Sequence, residues 1–230
     1  MTCQQAVIFD LDDTLFSELD FVASGFRAVA EWLETRVDRK RDVIVEEFRE
    51  LQRVSNEMVF NRWLDAQSGD VASVSEMIDV YRSHTPVIET YPFVVPLLKS
   101  LRSCYRLGLV SDGYLQTQQN KWNALGLDSW FDAVVFSDEM GRENWKPSPV
   151  PFQRVLRLLD VVPARSAYVG DNPKKDFVGA RRAGMKSIRI RHKWGVYSKF
   201  EPVDQEHQPD MEVLEHSELR CALEQLVPSE

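Results

Sequence analysis

Acidic residues cluster at two points in the chain, each at the end of a short apolar run. Asp10 and Asp12 lie at the end of the run at residues 6–11, and Asp171 and Asp176 follow a second run. If the two runs are neighbouring strands, these carboxylates converge, and two like charges about 4 Å apart repel by about 4 kcal/mol at an effective dielectric constant of about 20. A bound divalent cation would relieve the repulsion. A site with few protein oxygens suits octahedral Mg²⁺ better than Ca²⁺.

A hydroxyl group and a lysine supply the complementary groups for an anion. Ser111, Asp112 and Gly113 follow a third apolar run, at residues 106–110, and precede a predicted helix. Backbone N–H groups in such a turn, together with the dipole of the helix behind them, can hold phosphate oxygens. Lys146 lies in a loop whose prolines restrict its conformations, and it contributes positive charge. Together with the acids, these residues predict one site of the size of a phosphate group.

The elements that must position these groups alternate regularly after residue 92. Apolar runs typical of buried parallel strands alternate with segments that have the helical period. Such alternation implies right-handed crossovers and a parallel sheet. We therefore predict an α/β fold with a doubly wound, Rossmann-like parallel sheet. The predicted strands cover residues 6–11, 106–110, 133–136, 167–169, 187–190 and, at the edge, 211–214, and the predicted helices cover residues 93–101, 116–125, 151–159, 174–183 and 217–226.

Residues 17–90 contain no convincing strand. In the first part of this stretch, apolar residues recur at spacings of three and four, which indicates an amphipathic helix, and more helix follows. Ser73 and Glu76 have the spacing of a capping box at the start of a further helix. We predict that residues 17–90 form an all-helical cap domain, inserted into a core domain made of residues 1–16 and 91–230.

The composition excludes several classes of protein. The chain has 230 residues, of which 43% are hydrophobic and 28% charged, as in soluble globular proteins. Its formal charge of -8 argues against a protein that coats nucleic acid, and no apolar stretch approaches the roughly 18 residues of a membrane span. Cys3, Cys104 and Cys221 lack CxxC spacing, so we expect free thiols in a reducing compartment. Because no signal-like segment is visible, we expect a cytoplasmic protein, either a monomer or a homodimer.

The order and spacing of the candidate residues resemble the four motifs of the haloacid dehalogenase superfamily. The matching residues are Asp10-x-Asp12-x-Thr14, the strand-end Ser111, Lys146-Pro147, and Gly170-Asp171 with Asp176. The resemblance covers residues 6 to about 193. The helical insert between the first and second motifs resembles the C1-type cap of small-metabolite phosphatases and β-phosphoglucomutase-like enzymes.

The resemblance implies roles in catalysis. Asp10 would attack phosphorus, and Asp12 would protonate the leaving oxygen and then activate water against the aspartyl phosphate, which splits one difficult displacement into two. Asp12 also implies phosphate chemistry, because family members that displace halide need no leaving-group acid. The groups that would bind the transferring phosphoryl group are Ser111, the backbone at Asp112 and Gly113, and Lys146.

The resemblance also implies a Mg²⁺ site. Its ligands would be Asp10, the backbone carbonyl of Asp12, and Asp171. Asp176 would support these ligands or reach the metal through water. We expect Thr14 to be a structural hydrogen-bonding residue near the same loop.

Two further groups of residues are candidates for recognition. A cap must face its site, so Phe16, Glu18, Arg27 and Arg62 are candidates for substrate discrimination. Residues 181–199, here called the basic segment, contain no acidic residue. The basic segment could dock an anionic partner, but a solvated surface is the favoured interpretation, because surface lysine and arginine are common. Its basic residues are Arg181, Arg182, Lys186, Arg189, Arg191, Lys193 and Lys199.

These features together predict a Mg²⁺-dependent phosphatase that acts on a small phosphorylated metabolite. A sugar phosphate, a phosphoglycolate-like acid and a nucleoside monophosphate all fit the inventory. One alternative is a phosphomutase, which would return the phosphoryl group to its substrate. The other is a catalytically silent binding or regulatory protein that retains the fold. The acids alone do not separate hydrolysis from mutase action.

Overall fold

A six-stranded parallel sheet forms the centre of the protein. A computed structural model describes residues 5–228. The strands are β1 (Ala6–Phe9), β2 (Arg106–Ser111), β3 (Ala133–Phe136), β4 (Ser166–Gly170), β5 (Lys186–Ile190) and β6 (Met211–Val213). They lie in the order β3-β2-β1-β4-β5-β6, and every neighbouring pair is parallel. The predicted doubly wound α/β fold is confirmed, and each predicted strand is present within two residues of its expected ends.

Helices connect the strands and also fill the long segment after β1. In residues 5–228 the α-helices are α1 (Glu18–Glu34), α2 (Arg41–Val54), α3 (Val59–Asp65), α4 (Val74–Ser83), α5 (Val94–Leu101), α6 (Leu115–Leu125), α7 (Val150–Leu159), α8 (Asp176–Arg182) and α9 (His216–Leu226). The predicted capping box is present, because the Ser73 side chain accepts from the Glu76 N–H and the Glu76 side chain accepts from the Ser73 N–H. Helix α3 was not predicted. Its seven residues are too few to show a period, and it begins after Met58, whose φ is 53°.

The sheet is held by an apolar core that fixes the strand ends. Residues of β1 and β4, such as Ile8 and Tyr168, pack with Phe152 and Val155 of α7 in one buried cluster. Gly108 permits this close packing, because a Cβ at that position would lie 2.9 Å from a Val155 methyl group. This packing fixes the positions of the carboxyl ends of the strands. The residues directly after each strand therefore have defined positions relative to one another.

The chain divides into two compact units, which we describe separately. The larger consists of Met1–Glu18 and Glu89–Glu230, and the smaller of Leu19–Ile88. The smaller unit is helical and has its own core, in which Phe48 packs against Phe26 and Trp63. That it works as a cap over a site stays a prediction.

Acidic residues balance much of the charge of the basic segment. Arg182 pairs with Glu206, and Arg191 pairs with both Glu201 and Glu212. The partners all belong to residues 201–212, which directly follow the basic segment. These contacts favour a surface location for Arg182 and Arg191, whereas Arg189 is fully buried in β5, so the expectation of a solvated surface is wrong for that residue.

Two properties of the chain bear on its environment. Among residues 5–228, no helix combines the length and the apolar composition that crossing a bilayer would require. Cys104 and Cys221 are free thiols, as predicted. Cys3 lies outside the described residues.

Candidate active site

The candidate residues meet where the order of the sheet changes direction. Strand β1 lies between β2 and β4, so the chain crosses to one side of β1 first and to the other side later. Ligand sites of open α/β sheets form outside the carboxyl ends of strands at this point. Asp10, Ser111 and Asp171 stand at the carboxyl ends of these three strands. The Asp10 N–H continues the ladder by donating to the Val169 carbonyl at 2.8 Å.

Three carboxylates form the centre of the site, and we call them the acid group. Asp10, Asp171 and Asp176 each place one oxygen within 4.8 Å of the others, and all three residues are buried. Burial raises the pKa of Asp10 to about 6, with Lys146 opposing and Asp176 adding to the rise. Burial, followed by the charges of Asp176 and Asp10, raises the pKa of Asp171 well above its usual range.

A divalent cation fits the acid group. Among the described residues, Asp171 Oδ2 is a buried oxygen without a hydrogen-bond partner. Leaving a buried polar group unsatisfied costs about 1–3 kcal/mol, and more when the group is charged. Carboxylate oxygens are the ligands that hard cations such as Mg²⁺ prefer. The acid group includes Asp176, which we expected in an outer position, and does not include the side chain of Asp12, whose backbone carbonyl was the expected ligand.

Lys146 is buried against the acid group. Its ammonium nitrogen lies 2.8 Å from Asp10 Oδ1, 2.8 Å from Asp176 Oδ1 and 2.8 Å from the Tyr168 hydroxyl oxygen. An ammonium group has three N–H donors, so these contacts account for all of them. Burial alone would lower the pKa of Lys146, but the charges of Asp10 and Asp176 outweigh it and raise the pKa well above its usual value. Lys146 therefore neutralises the predicted nucleophile, and its predicted contact with a phosphoryl group requires one of these bonds to give way.

Two residues that the sequence analysis missed hold the side chain of Asp12. Lys121 Nζ lies 2.6 Å from Asp12 Oδ1, and Gln118 Nε2 donates to Asp12 Oδ2 at 2.8 Å. Both residues come from α6, three positions apart, and both are buried. Their spacing shortly after the Ser111 turn was the available sequence signal, because residues three apart share one helix face.

The predicted phosphate-binding turn is held by side chains around it. The Ser111 hydroxyl accepts from Gln118 Nε2 at 2.7 Å. Gly113 has a φ of 137°, which favours glycine. The Asp112 carboxylate accepts from the Ser137 hydroxyl at 2.6 Å and from the Lys146 backbone N–H at 3.1 Å. The Asp112 side chain therefore connects this turn to the Lys146 loop, and the expected phosphate donors are the Ser111 hydroxyl and the backbone N–H groups of the turn.

Asp13 fastens the loop between the first strand and α1. Its φ is 49°, and its two carboxylate oxygens accept from the Glu18 N–H at 2.9 Å and the Val196 N–H at 2.7 Å. Thr14 is buried, and its hydroxyl has no hydrogen-bond partner among the described residues, so the expected structural hydrogen bond of that hydroxyl is not seen. The Asp13 carboxylate therefore connects this loop to the start of α1 and to the segment at Val196.

The four candidates for substrate discrimination lie in different surroundings. Phe16 is fully buried, so its ring has no surface for a substrate, and this expectation is corrected. Glu18 lines the cavity of the larger unit and stays a candidate. Arg27 is an exposed residue of α1 in the smaller unit. Arg62, also in the smaller unit, donates to the carbonyls of Ser55 and Glu57 at 2.6 and 2.9 Å, which gives it a structural task.

A polar cavity of about 210 Å³ opens beside these groups in the larger unit. Its lining residues include Asp10, Asp12, Glu18, Gln118, Lys121 and Tyr197. Burial raises the pKa of Glu18 to about 7, and the charge of Asp12 adds to the rise. The arrangement can hold a cation and an anionic group side by side, with a carboxylate nucleophile and a second carboxylate facing the same space.

Comparisons with known proteins agree with this geometry. Residues 7–190 match the family described as haloacid dehalogenase-like hydrolase. The chain is 33% identical to a glyceraldehyde 3-phosphate phosphatase of Methanopyrus kandleri, over 96% of this chain and 98% of the relative. It is 30% identical to the pyrophosphatase PpaX of Bacillus mycoides, over 80% of this chain and 82% of the relative. The crystal structure of a HAD phosphatase from Thermococcus onnurineus superposes with a TM-score of 0.62 at 26% identity, covering 95% of this chain and 97% of that one.

Proposed function

The chain belongs to the haloacid dehalogenase-like hydrolase family, and on this premise we propose that it is a Mg²⁺-dependent phosphatase that forms a phospho-aspartate on Asp10. The observation that carries the proposal is the buried oxygen of Asp171, which has no partner among the described residues and lies in one group with Asp10 and Asp176. Burying such a group of carboxylates without counter-ions costs free energy, and a cation bound between them, together with a phosphate group, stabilises it.

The proposed substrate is a small phosphorylated metabolite. One relative is named for the hydrolysis of glyceraldehyde 3-phosphate and another is named a pyrophosphatase, and both similarities extend over most of this chain. The cavity beside Asp10 and Asp12 is small and lined by polar side chains, which suits a phosphate ester with a polar leaving group. Sugar phosphates, phosphoglycolate-like acids and nucleoside monophosphates remain the classes to test.

In the first proposed step, a carboxylate oxygen of Asp10 attacks phosphorus. The bond between phosphorus and the leaving oxygen breaks, and Asp12 donates its proton to that oxygen. Ser111 and the backbone N–H groups of Asp112 and Gly113 hold the phosphoryl oxygens as charge develops on them. Catalysis of this kind depends chiefly on positioning and charge neutralisation.

In the second proposed step, Asp12 takes a proton from a water molecule. The water oxygen attacks phosphorus, the bond to Asp10 breaks, and inorganic phosphate leaves with Asp10 restored as a carboxylate. Lys146 stays beside Asp10 and Asp176, where its charge balances the carboxylate that leaves the phosphorus. Protons and charges balance over the two steps, because Asp12 first donates and then regains one proton.

Asp10, Asp171 and the backbone carbonyl of Asp12 would hold Mg²⁺, and Asp176 stands close enough to support them. When bound, the ion neutralises phosphate charge and orients the ester for in-line attack. We also propose a cytoplasmic location, which the free thiols of Cys104 and Cys221 support.

Release of inorganic phosphate from a panel of phosphate esters, with Mg²⁺ and with EDTA, tests the proposal. We expect Mg²⁺-dependent hydrolysis that Asp10→Asn abolishes, while Asp70→Asn, which changes an exposed carboxylate, leaves the rate unchanged. An isomeric sugar phosphate without free phosphate would identify a mutase. No turnover of any ester with Mg²⁺ would favour the silent binding protein.

A further inference from the structure

Helix α6 directs two buried polar side chains at the predicted proton-transfer residue. Lys121 Nζ lies 2.6 Å from one oxygen of Asp12, and Gln118 Nε2 lies 2.8 Å from the other. The side chain of Lys121 is 5% exposed and that of Asp12 is 20% exposed. Each oxygen of the carboxylate therefore has its own donor, and both donors come from one rigid helix.

Burying a lysine on a helix costs free energy of desolvation. Removing an ammonium group from water costs several kcal/mol, and an apolar side chain of similar volume often stabilises a protein at least as well. The Lys121 ammonium nitrogen lies 5.9 Å from the centre of the fully buried Phe16 ring, so an apolar side chain at this position would have an apolar neighbour. The location of Lys121 is therefore better explained by its contact with Asp12 than by the stability of the helix.

Gln118 also ties Asp12 to the phosphate-binding turn. The same Nε2 that contacts Asp12 donates to the Ser111 hydroxyl at 2.7 Å. A Cβ at Gly113 would lie 3.0 Å from the Gln118 side chain, so the turn packs directly on it. The amide of Gln118 thus fixes the distance between Asp12 and the groups expected to hold the phosphoryl oxygens.

We propose that Lys121 and Gln118 are positioning residues that hold the Asp12 carboxyl group in line for proton transfer with the leaving oxygen. The inference rests on the proposed function, because it presumes that Asp12 transfers that proton. A general acid or base works only within hydrogen-bond reach of the atom it serves, so a carboxyl group that rotates away loses its contribution. Lys121 and Gln118 each donate to an oxygen of Asp12, and Gln118 also donates to Ser111, so Asp12 is the contact that the two residues share.

The test compares two esters that differ in their need for a proton. An alkyl phosphate releases a strongly basic alkoxide, whereas 4-nitrophenyl phosphate releases an anion that leaves without protonation. General acid catalysis contributes about 100- to 10000-fold, so partial misalignment in Lys121→Met is expected to lower kcat/KM for the alkyl ester by about 10- to 100-fold and for the aryl ester by less than about threefold. Lys121→Arg, which keeps the charge, is expected to recover part of the alkyl-ester activity.

A double-mutant cycle with Asp12→Asn shows whether Lys121 acts through Asp12. In the Asp12→Asn background, Lys121→Met is expected to change kcat/KM for either ester by less than about twofold. Asp12→Asn already removes the proton transfer through which Lys121 acts, and the effects of contacting residues are not additive. Lys99→Met is the matched control for a lysine that is exposed, and Gln119→Met is the control for Gln118→Met on the same helix. If Lys121→Met does not fold, Lys121→Gln carries the same comparison. Gln118→Met, which also loses the contact with Ser111, is expected to lower kcat/KM for both esters, and for the alkyl ester more.

Equal losses with both esters, or a loss that persists in the Asp12→Asn background, would overturn the proposal. Failure of the proposed function looks different, because the unsubstituted protein would then show no Mg²⁺-dependent hydrolysis that Asp10→Asn abolishes. That result would overturn both proposals together. Normal hydrolysis with equal losses would overturn only the positioning of Asp12.

Discussion

Two parts of the chain concentrate charge, and they differ in how that charge is balanced. The acid group buries three carboxylates within 4.8 Å, and among the described residues one Asp171 oxygen lacks a partner. The basic segment contains more charged residues, but its Arg182 and Arg191 form ion pairs with glutamates of residues 201–212, the segment that follows it in the sequence. The two regions therefore differ in the balance of their buried charge more than in their number of charged residues.

The contrast predicts how strongly each charged residue affects the free energy of unfolding in Mg²⁺-free buffer. Lys146→Met should have the largest effect, because it leaves Asp10 and Asp176 buried without their cation. Breaking a buried ion pair on one side costs about 3–5 kcal/mol. Urea denaturation should show a loss of this size, and kcat should fall about 100- to 1000-fold, as for the loss of one preorganised charge. A loss in Lys146→Met no larger than in Lys99→Met would contradict the account.

Arg189 is the buried member of the basic segment and sharpens the comparison. Its guanidinium donates to the carbonyls of Asp171, Tyr197 and Phe200. A buried carbonyl left without a donor, as at Asp171, costs about 1–3 kcal/mol, and the ion pair with Glu212 is lost as well. Arg189→Met should therefore lower the free energy of unfolding by about 3 kcal/mol. Guanidinium chloride denaturation measures this. A change in the free energy of unfolding as small as that of Arg182→Met would contradict the account. It would show that burial does not determine how strongly a basic residue of this segment contributes to stability.

Asp171→Asn should act in the opposite direction. Burial raises the pKa of Asp171, so at neutral pH folding moves an ionised, hydrated carboxyl group into a site that disfavours its charge. A neutral amide at this position does not have that cost. We expect Asp171→Asn to raise the free energy of unfolding at pH 7 without Mg²⁺. The gain should vanish near pH 4, and Mg²⁺ should no longer raise Tm. Thermal unfolding in EDTA and in Mg²⁺ separates the two effects.

Asp10 and Glu18 should each lower the free energy of unfolding of the Mg²⁺-free protein as pH rises from about 4 to about 7. The pKa of Asp10 is raised to about 6 and that of Glu18 to about 7 in the folded state, chiefly by burial. In this interval these two groups bind more protons in the folded than in the unfolded chain, so their contribution to the free energy of unfolding decreases with pH. His192 and His216, whose pKa values burial lowers to about 4 and about 3, contribute in the opposite direction. Glu18→Gln should therefore raise the free energy of unfolding at pH 7 relative to its value at pH 4, compared with the unsubstituted protein, while Glu31→Gln, an exposed carboxyl group, should not.

Arg182→Met should have the smallest effect. The Arg182 and Glu206 side chains are 51% and 57% exposed, and exposed ion pairs contribute less than about 1 kcal/mol. The free energy of unfolding should change by less than that amount, and kcat/KM should not change. A large loss of activity in Arg182→Met would indicate that the basic segment takes part in catalysis and would remove the distinction between the two regions.

The larger unit was predictable from the sequence because its signals are local. Each strand is a continuous apolar run, and Asp10, Ser111 and Asp171 follow such runs directly, so the parallel topology alone brings them together. Helix α3 escaped prediction because seven residues do not establish a period. The smaller unit gave less information, since a helical stripe does not reveal which face meets a ligand.

The contacts that sequence reasoning missed join positions far apart in the chain. Lys121 and Gln118 reach Asp12 across 109 and 106 positions, and Lys146 reaches Tyr168 and Asp176 inside the core. No local pattern encodes such pairs, because they depend on how α6 and the Lys146 loop pack on the sheet. Motifs therefore named the candidate reacting groups but not the residues that contact them from distant parts of the chain.

Chemical trapping of the enzyme during turnover tests the central claim most directly. Rapid quenching in the presence of Mg²⁺ and an ester that is turned over, followed by borohydride reduction, converts an aspartyl phosphate to homoserine, which peptide mass spectrometry locates. The account predicts homoserine at Asp10, dependent on Mg²⁺ and absent from Asp171→Asn. Turnover without homoserine at Asp10, or with homoserine at another aspartate, would contradict it.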